Sequence, residues 1–163
     1  MLKPTKRLRT RTAGGTFAIV ASQYNRRYVD GMLRAAGRSL RAAGADKIIV
    51  VRVPGAYEIP VVAARLARAQ PEPLSAILCL GVVLRGETTH AQNISEAVSA
   101  ALAQIQIQHE IPVIHEVLLL ENEQQAKVRC LSREHNRGAE AAQTALTMAR
   151  VMKRLPGLMT NDH

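Results

Sequence analysis

Short β-type runs alternate with longer helical runs along almost the whole chain, and this alternation restricts the fold more than any other feature of the sequence. Apolar, β-branched runs predict strands at residues 16–22, 47–53, 76–84 and 112–120. Apolar residues at helical spacing predict helices at 27–43, at 59–69, around 94–105, at 123–130 and at 137–155. Such alternation is typical of a parallel sheet with right-handed crossovers. We therefore expect an α/β three-layer sandwich in which helices flank a four-stranded parallel sheet.

The length of 163 residues suits one domain with a single sizeable core. We expect that α/β domain at residues 13–156, between a flexible basic N-terminal tail at 1–12 and a short C-terminal tail at 157–163. Five of the 22 basic residues and none of the 13 acidic ones lie in residues 1–12, so the net charge of +9 falls to +4 beyond them. The chain has one Phe, three Tyr and no Trp, and so few aromatic residues argue against a surface that stacks on bases. These features argue against a nucleic-acid partner.

Several other classes of protein are disfavoured by the sequence. No apolar run approaches the roughly 20 residues of a membrane-spanning helix. Cys79 and Cys130 form no C-x-x-C pair and suggest no disulfide framework, which favours a reducing, cytoplasmic location. The basic N-terminus is followed by no apolar segment of a secretory signal. No two histidines have metal-ligand spacing, so we expect no metal site.

In a parallel α/β sheet, ligands bind beyond the carboxyl ends of the strands, near the point where the strand order reverses. The segments that follow the predicted strands are therefore the first candidates for a binding site. They are residues 22–25, 54–58, 81–90 and 120–123.

The third of these segments, GVVLRGETTH at residues 81–90, has the features of an anion site. It leads from a buried strand into a helix start, where unpaired backbone N–H groups and a partial positive charge favour phosphate. Gly86 allows a ligand to approach the backbone closely, and the threonine pair after it adds hydroxyl groups. Gly81 and Gly86 have the spacing of a P-loop. Glu87, however, stands where that motif needs lysine, which disfavours a nucleoside triphosphate site.

Other side chains could carry chemistry, and each has a structural alternative. His90 stands at the mouth of the sheet and could transfer protons near neutral pH, or it could be a solvated histidine at a helix start. His115 interrupts an apolar strand, and is either a satisfied core histidine or a group at a surface between subunits. Arg129, Arg133 and Arg137 recur every four residues, which suits phosphate binding but also an ordinary solvated basic face.

Two more strand-end segments offer groups for a polar ligand with a flat ring. The turn VPGAYEIP at residues 53–60 exposes backbone amides at its Pro-Gly pair, and Glu58 could bind hydroxyl groups. Tyr24 follows the first strand, where a flat ligand could lie against it. The alternative for Tyr24 is ordinary packing with one polar end in water.

Five motifs taken together resemble the lumazine synthases, enzymes of riboflavin biosynthesis. They lie in the family order: VASQYN (20–25), VPGAYEIP (53–60), LGVVLRGETTH (80–90), IPVIHEVL (111–118) and the 129–138 segment, which the NRGAE run at 136–140 continues. The resemblance implies a flavodoxin-like fold and a transferase. It also implies the condensation of 5-amino-6-(D-ribitylamino)uracil with 3,4-dihydroxy-2-butanone 4-phosphate, with loss of phosphate and water and with no cofactor. The product is 6,7-dimethyl-8-ribityllumazine.

By this resemblance, three strand-end segments bind the pyrimidine and its ribityl chain. The aromatic ring of Tyr24 packs on the pyrimidine, where the family usually has Phe or Trp, and Glu58 accepts hydroxyl protons of the ribityl chain. Backbone groups of the same segments complete the contacts. The residues expected to bind this substrate are Tyr24, Asn25, Gly55, Ala56, Tyr57, Glu58, Gly81, Val82 and Val83.

The resemblance places the second substrate at the helix start. Gly86, Glu87 and Thr88 match the family's phosphate loop. Arg129 matches a phosphate-binding arginine that comes from the neighbouring subunit. His90 matches the proton-transfer histidine, so His90 and Arg129 are the expected catalytic residues.

The chain also departs from the usual family pattern. His115 replaces the Phe that many members place against the heterocycle from the neighbouring subunit, so stacking there is expected to be weaker or replaced by a hydrogen bond. Arg133 and Arg137 replace common lysines, and residues 130–136 lack the glycines of capsid-forming members. We therefore expect the divergent second type of the family, a homo-pentamer paired into a decamer rather than a closed shell. The N-terminal tail could add a strand to a neighbour.

Two further expectations concern partners and function. A link to riboflavin synthase follows from the same resemblance. The alternative function is a non-catalytic binder of ribityl or flavin-like ligands on the same scaffold.

Overall fold

The structure is a computed structural model that describes residues 14–69 and 71–160. The expected basic tail at 1–12 lies outside the described residues, and so do residues 161–163 of the expected C-terminal tail. None of the helices in the described residues is both long and apolar enough to cross a membrane.

Four strands form one parallel sheet in the order β2-β1-β3-β4. Their bounds are Thr16–Ser22 for β1, Lys47–Val53 for β2, Ala76–Leu84 for β3 and Val113–Leu120 for β4. All three pairings are parallel. The chain adds β2 on one side of β1 and β3 on the other, so the strand order reverses between β1 and β3. Ligand loops are expected at the carboxyl ends of these two strands.

Helices connect the strands and continue beyond the last one. They are α1 (Arg26–Ala42), α2 (Ile59–Ala69), α3 (His90–His109), α4 (Glu123–Ala126) and α5 (Arg137–Met159). A 3₁₀ turn at Ala56–Glu58 precedes α2, and a π-helical turn at Lys127–Leu131 follows α4.

The sheet separates two hydrophobic cores, because successive strand residues point to opposite faces. On one face Phe17 and Ile19 pack with residues of α1 and α5. On the other face Ala18 and Val20 pack with residues of α2 and α3. Burial on both faces explains why the strands read as continuous apolar runs. The predicted three-layer α/β architecture is confirmed.

The chain after β4 differs from the prediction in two places. The sequence predicts one helix over 123–130, whereas α4 ends at Ala126 and gives way to the π-helical turn. The last helix is predicted to end at residue 155, but α5 continues through Pro156 to Met159. Proline lacks a backbone N–H and therefore removes one helical hydrogen bond, yet the last turn forms around it.

Candidate functional site

The segments after β1 and β2 are joined by backbone hydrogen bonds. The Gln23 N–H donates to the carbonyl of Val53 at 2.8 Å, and the Tyr24 N–H donates to the carbonyl of Pro54 at 3.0 Å. Tyr24 is left with 74% of its surface exposed, so its ring is free to contact a ligand. Two of the predicted ligand segments thus form one unit at the carboxyl end of the sheet.

Asn25 joins this unit to β3. Its backbone is in the left-handed region, with φ of 54°, and its side-chain amide donates to the carbonyl of Val82 at 2.7 Å. Asparagine tolerates this conformation better than most residues do. The bond connects the segment after β1 to β3, the two strands between which the strand order reverses. Tyr24 and Val82 therefore lie at the same carboxyl end of the sheet.

A charged pair supports the end of β1. The Arg52 guanidinium donates through Nη2 to the carbonyl of Ser22 at 2.9 Å and through Nη1 to Oδ1 of Asp30 at 2.5 Å. Arg26 contacts the other carboxylate oxygen of Asp30 at 3.2 Å. Burial acts to raise the pKa of Asp30, but hydrogen bonds from Arg52 and Arg26 outweigh it and hold the pKa below its usual value.

The turn between β2 and α2 presents the residues expected to bind a ribityl chain. Oε2 of Glu58 accepts from the Gly55 N–H at 2.9 Å, which closes the 3₁₀ turn and fixes the carboxylate. Ala56 is buried, whereas Tyr57 projects outward with 64% of its surface exposed. The fixed carboxylate keeps its second oxygen for a ligand hydroxyl.

The end of β3 leads into an open loop. Gly81 is enclosed so tightly that a Cβ there would lie 3.2 Å from Val117 and 3.4 Å from the Ser22 hydroxyl. Val82 is buried and Val83 is half-buried, while residues 85–90 are exposed. Exposure to solvent therefore increases along the segment, from the buried end of β3 to the loop that follows it.

The loop ends where α3 begins, as the sequence predicts. The helix starts at His90, with Thr89 as the cap, and no acidic residue lies in its first turn. The His90 N–H donates to the Thr88 hydroxyl at 3.4 Å. Gly86 has open space where a side chain would stand, and Glu87 is exposed. An exposed helix start of this kind favours an anion.

A second group of candidate residues lies along the edge strand β4. A cavity of about 660 Å³ is lined by β4 from His115 onward, by α4 and the π-helical turn, and by Arg129 and Arg137. Among the described residues, its wall contains none from the segments 22–25, 54–58 and 81–90, which follow β1, β2 and β3. Arg133 does not line it either, so only two of the three evenly spaced arginines meet here.

Arg137 is fully engaged by carboxylates in this cavity. Its Nε and Nη2 donate to both oxygens of Glu116, at 3.0 and 2.9 Å, and its Nη1 donates to Glu140 at 2.5 Å. Burial raises the pKa of Glu116, and the nearby positive charge of Arg137, which acts to lower that pKa, only partly offsets the effect. Arg137 is thus neutralised by its own chain, and the contacts of the described residues give Arg129 no hydrogen-bond partner that would compete with a ligand.

The turn that carries Arg129 is held by Asn136. Its side chain donates to the carbonyl of Cys130 at 2.7 Å and accepts from the Gly138 N–H at 2.9 Å, which caps α5. Both bonds are buried, so the side chain of Asn136 ties the π-helical turn to the start of α5.

His115 is bonded within its own chain. Its Nε2 lies 2.7 Å from the hydroxyl of Ser99, and its Nδ1 accepts from the Val117 N–H at 3.3 Å. Burial lowers the pKa of His115. Its hydrogen bonds fit the alternative of a satisfied histidine. Its exposure on the edge strand fits the other alternative, a group at a surface between subunits.

Sequence reasoning identified the strand-end residues but missed the groups that hold them. Asp30, Arg52, Glu116 and Asn136 each fix a candidate residue or its segment. Arg52 and Glu116 could have been noticed from the sequence, because each is a charged residue within an otherwise apolar strand and therefore needs a partner. In the described part of the chain, no three His, Cys, Asp or Glu side chains lie close enough to hold a metal ion.

These features define a class: a doubly wound α/β protein with ligand-binding loops at the carboxyl ends of its strands and an arginine-bearing cavity at its edge strand. Comparison with known proteins narrows that class to one family. The family model for 6,7-dimethyl-8-ribityllumazine synthase matches residues 14–153, and the chain belongs to this family.

Curated relatives agree with the family match. The 6,7-dimethyl-8-ribityllumazine synthase of Stenotrophomonas maltophilia strain R551-3 is 39% identical over 142 residues, which cover 86% of this chain and 90% of the relative. The synthase of Xylella fastidiosa strain M12 is 39% identical over 148 residues, covering 90% and 95%. That of Xanthomonas oryzae pv. oryzae strain PXO99A is 39% identical over 142 residues, covering 86% and 91%. The resemblance drawn from the motifs is confirmed.

Proposed function

We infer that this chain is a transferase that condenses 5-amino-6-(D-ribitylamino)uracil with 3,4-dihydroxy-2-butanone 4-phosphate to 6,7-dimethyl-8-ribityllumazine in riboflavin biosynthesis. The family match over residues 14–153 and the relatives of the same name support the reaction. One observation carries the assignment of residues: three strand-end segments are hydrogen-bonded into a single unit within one chain.

The pyrimidine and its ribityl chain bind at that unit. Tyr24 packs its exposed ring on the pyrimidine, and backbone groups of Val82 and Val83 contact the ring edge. The carboxylate of Glu58 binds ribityl hydroxyls, because its position is already fixed by the Gly55 N–H. The full set proposed for this substrate is Tyr24, Asn25, Gly55, Ala56, Tyr57, Glu58, Gly81, Val82 and Val83.

The phosphate of the second substrate binds at the loop of Gly86, Glu87 and Thr88. The exposed helix start supports this assignment. Arg129 of an adjoining copy supplies the guanidinium, since Arg129 lies in the edge cavity and outside the strand-end unit of its own chain. A site built this way is complete only in an assembly.

The reaction needs proton transfers and charge stabilisation, which these residues supply. An amine adds to the ketone, water leaves, phosphate is eliminated and the ring closes. His90, the first residue of α3, acts as the general acid and base that transfers these protons. Arg129 first binds the phosphate group of the substrate and then stabilises the negative charge of phosphate as it leaves. Holding both substrates together supplies much of the acceleration.

The proposed assembly is a pentamer paired into a decamer, in the cytoplasm, whose product passes to riboflavin synthase. The placement of His115 and Arg129 on the edge cavity supports a shared site. Light scattering on the purified protein measures the size of the assembly.

The deciding experiment mixes both substrates with purified protein and follows the absorbance of the lumazine product. We expect product with the wild-type protein. Arg129→Ala should raise the KM for the butanone phosphate more than the KM for the pyrimidine. Arg133→Ala is the matched control, since it removes the same charge from an exposed position outside the cavity. Equal losses for both substrates would contradict the role of Arg129, and absence of product from the wild type would contradict the function.

A further inference from the structure

A short chain of hydrogen bonds links His115 on β4 to the backbone of α3. Nε2 of His115 lies 2.7 Å from the Ser99 hydroxyl oxygen. The same hydroxyl donates to the carbonyl of Ser95, also at 2.7 Å. On the other side of the ring, Nδ1 accepts from the Val117 N–H at 3.3 Å.

These bonds permit only one arrangement of protons. A carbonyl oxygen only accepts, so the proton of the Ser99 hydroxyl is committed to Ser95. The Ser99 oxygen must then accept from His115, which places a proton on Nε2. The Val117 N–H only donates, so Nδ1 must carry a lone pair. The ring is therefore neutral and has one tautomer.

We propose that Ser99 is a positioning residue: it fixes His115 as the Nε2–H tautomer and makes it present a ring face to the substrate of the adjoining subunit. This inference rests on the proposed function, because it takes the edge cavity as part of a shared site. Both nitrogens of an imidazole bond in the plane of the ring, and here both in-plane directions are taken within the chain. Only the faces and the C–H edge remain for a ligand.

The alternative of a substrate hydrogen bond from His115 is thereby disfavoured. A donor or acceptor role would require the ring to leave Ser99 or Val117, and the freed group would need a new partner. Burial also lowers the pKa of His115, in agreement with a neutral ring. His115 thus contacts the substrate through a ring face, as an aromatic residue would. Its orientation depends on Ser99 of α3.

The tautomer is measured on the assembled protein by solid-state NMR with 15N-labelled histidine. His115→Phe identifies the His115 signals by their disappearance. At neutral pH we expect one neutral species with the proton on Nε2. In Ser99→Ala only the long 3.3 Å bond from the Val117 N–H still orders the ring, so we expect a mixture of the two neutral tautomers. A wild-type ring that is charged or carries its proton on Nδ1 would overturn the proposal.

Steady-state kinetics test the effect on substrate. Ser99→Ala should raise the KM for the pyrimidine about fivefold, the loss expected for one hydrogen bond, with kcat nearly unchanged. Ser99→Thr should keep the wild-type KM, because threonine retains the hydroxyl that bonds to His115. Ser95→Ala is the control, since it retains the backbone carbonyl that accepts from Ser99.

The outcomes separate this proposal from the proposed function. If the wild type is active and Ser99→Ala leaves both kinetic parameters unchanged, the positioning role is wrong and the function stands. If the wild type forms no product, both the proposed synthase function and the role of the His115 ring face in substrate binding are wrong. In that case the NMR measurement still decides whether Ser99 sets the tautomer.

Discussion

Arg52 and Asp30 show how single charged residues set the position of a ligand segment. Arg52 bonds to the last carbonyl of β1 and to Asp30 at the start of α1, so the turn that carries Tyr24 is fixed from two elements. The pair is partly buried, with Asp30 about a quarter exposed, so solvent screens it less than a surface pair.

Asp30→Asn should change how stability depends on acid pH. The pKa of Asp30 is lower in the folded chain than its ordinary value of 3.8, so its contribution is present above that pH. As pH falls below 3.8 through the lowered folded value, the carboxylate is protonated and the contribution is lost. The difference in unfolding free energy between wild type and Asp30→Asn should therefore vanish at low pH. Urea unfolding at several pH values measures it, with exposed Glu72→Gln as the control. A difference that grows toward low pH would contradict the assignment.

Glu116→Gln should destabilise the protein by about 1–3 kcal/mol, because it leaves the half-buried guanidinium of Arg137 with one neutral partner. In the double variant Glu116→Gln/Arg137→Met the loss should be smaller than the sum of the two single losses, since each single variant already loses the Glu116–Arg137 ion pair. Urea unfolding of all four proteins at one protomer concentration gives the coupling. Strict additivity would show that the pair contributes nothing.

The sequence indicated such residues only in part. Tyr24, Glu58, His90 and Arg129 stood out because they follow strands or lie in motifs. The partners of Glu116 and Arg52 could not be predicted, since their bonds join residues 21 and 22 positions apart in the chain. Pairing of this kind depends on packing that local patterns do not encode.

At the scale of elements, α5 packs closely on α1 at Gly138, and the start of α5 is bonded to the π-helical turn that lines the edge cavity. The strands and the helices before β4 were predictable to within a few residues, because apolar periodicity is strong there. The π-helical turn was not, since residues 127–131 show the same helical spacing as α4. Its shape is imposed by Asn136, which bonds the Cys130 carbonyl, and by the close approach of α5 to α1.

Gly138→Ala should be strongly destabilising for this reason. A Cβ at Gly138 would lie 2.0 Å from the backbone oxygen of Met32 in α1, and backbone cannot move aside cheaply. We expect a loss of about 3 kcal/mol or more, in the range of severe core substitutions. Gly157→Ala in the same helix has open space and should be neutral or stabilising by up to about 1 kcal/mol. Thermal unfolding of both variants tests this, and similar losses would contradict the packing argument.

At the scale of the whole molecule, one chain holds two separate candidate surfaces, which we propose to be the two halves of one site. The strand-end unit lies at the carboxyl end of the sheet, and the cavity with His115 and Arg129 lies along the edge strand. Patterns within a single chain can indicate each surface, but they cannot show whether a neighbouring copy brings the two surfaces together, as the proposed site requires. The expectation of a shared site therefore came chiefly from the family motifs, and His115 within an apolar strand was the one local indication of a surface between subunits.

Mixed assemblies test whether two chains share a site. His90→Ala and Arg129→Ala each remove one half, so assemblies of either variant alone should be nearly inactive. When the two are co-expressed in equal amounts, random assortment in a ring should give about a quarter of the sites both wild-type residues, one from each chain. Product formation should then recover to roughly a quarter of the wild-type rate. If His90 and Arg129 acted within one chain, every site would lack one of them, and the mixture would be no more active than its parents. The double variant His90→Ala/Arg129→Ala mixed with wild type provides the comparison, since in that mixture as well only about a quarter of shared sites, but half of single-chain sites, would be intact.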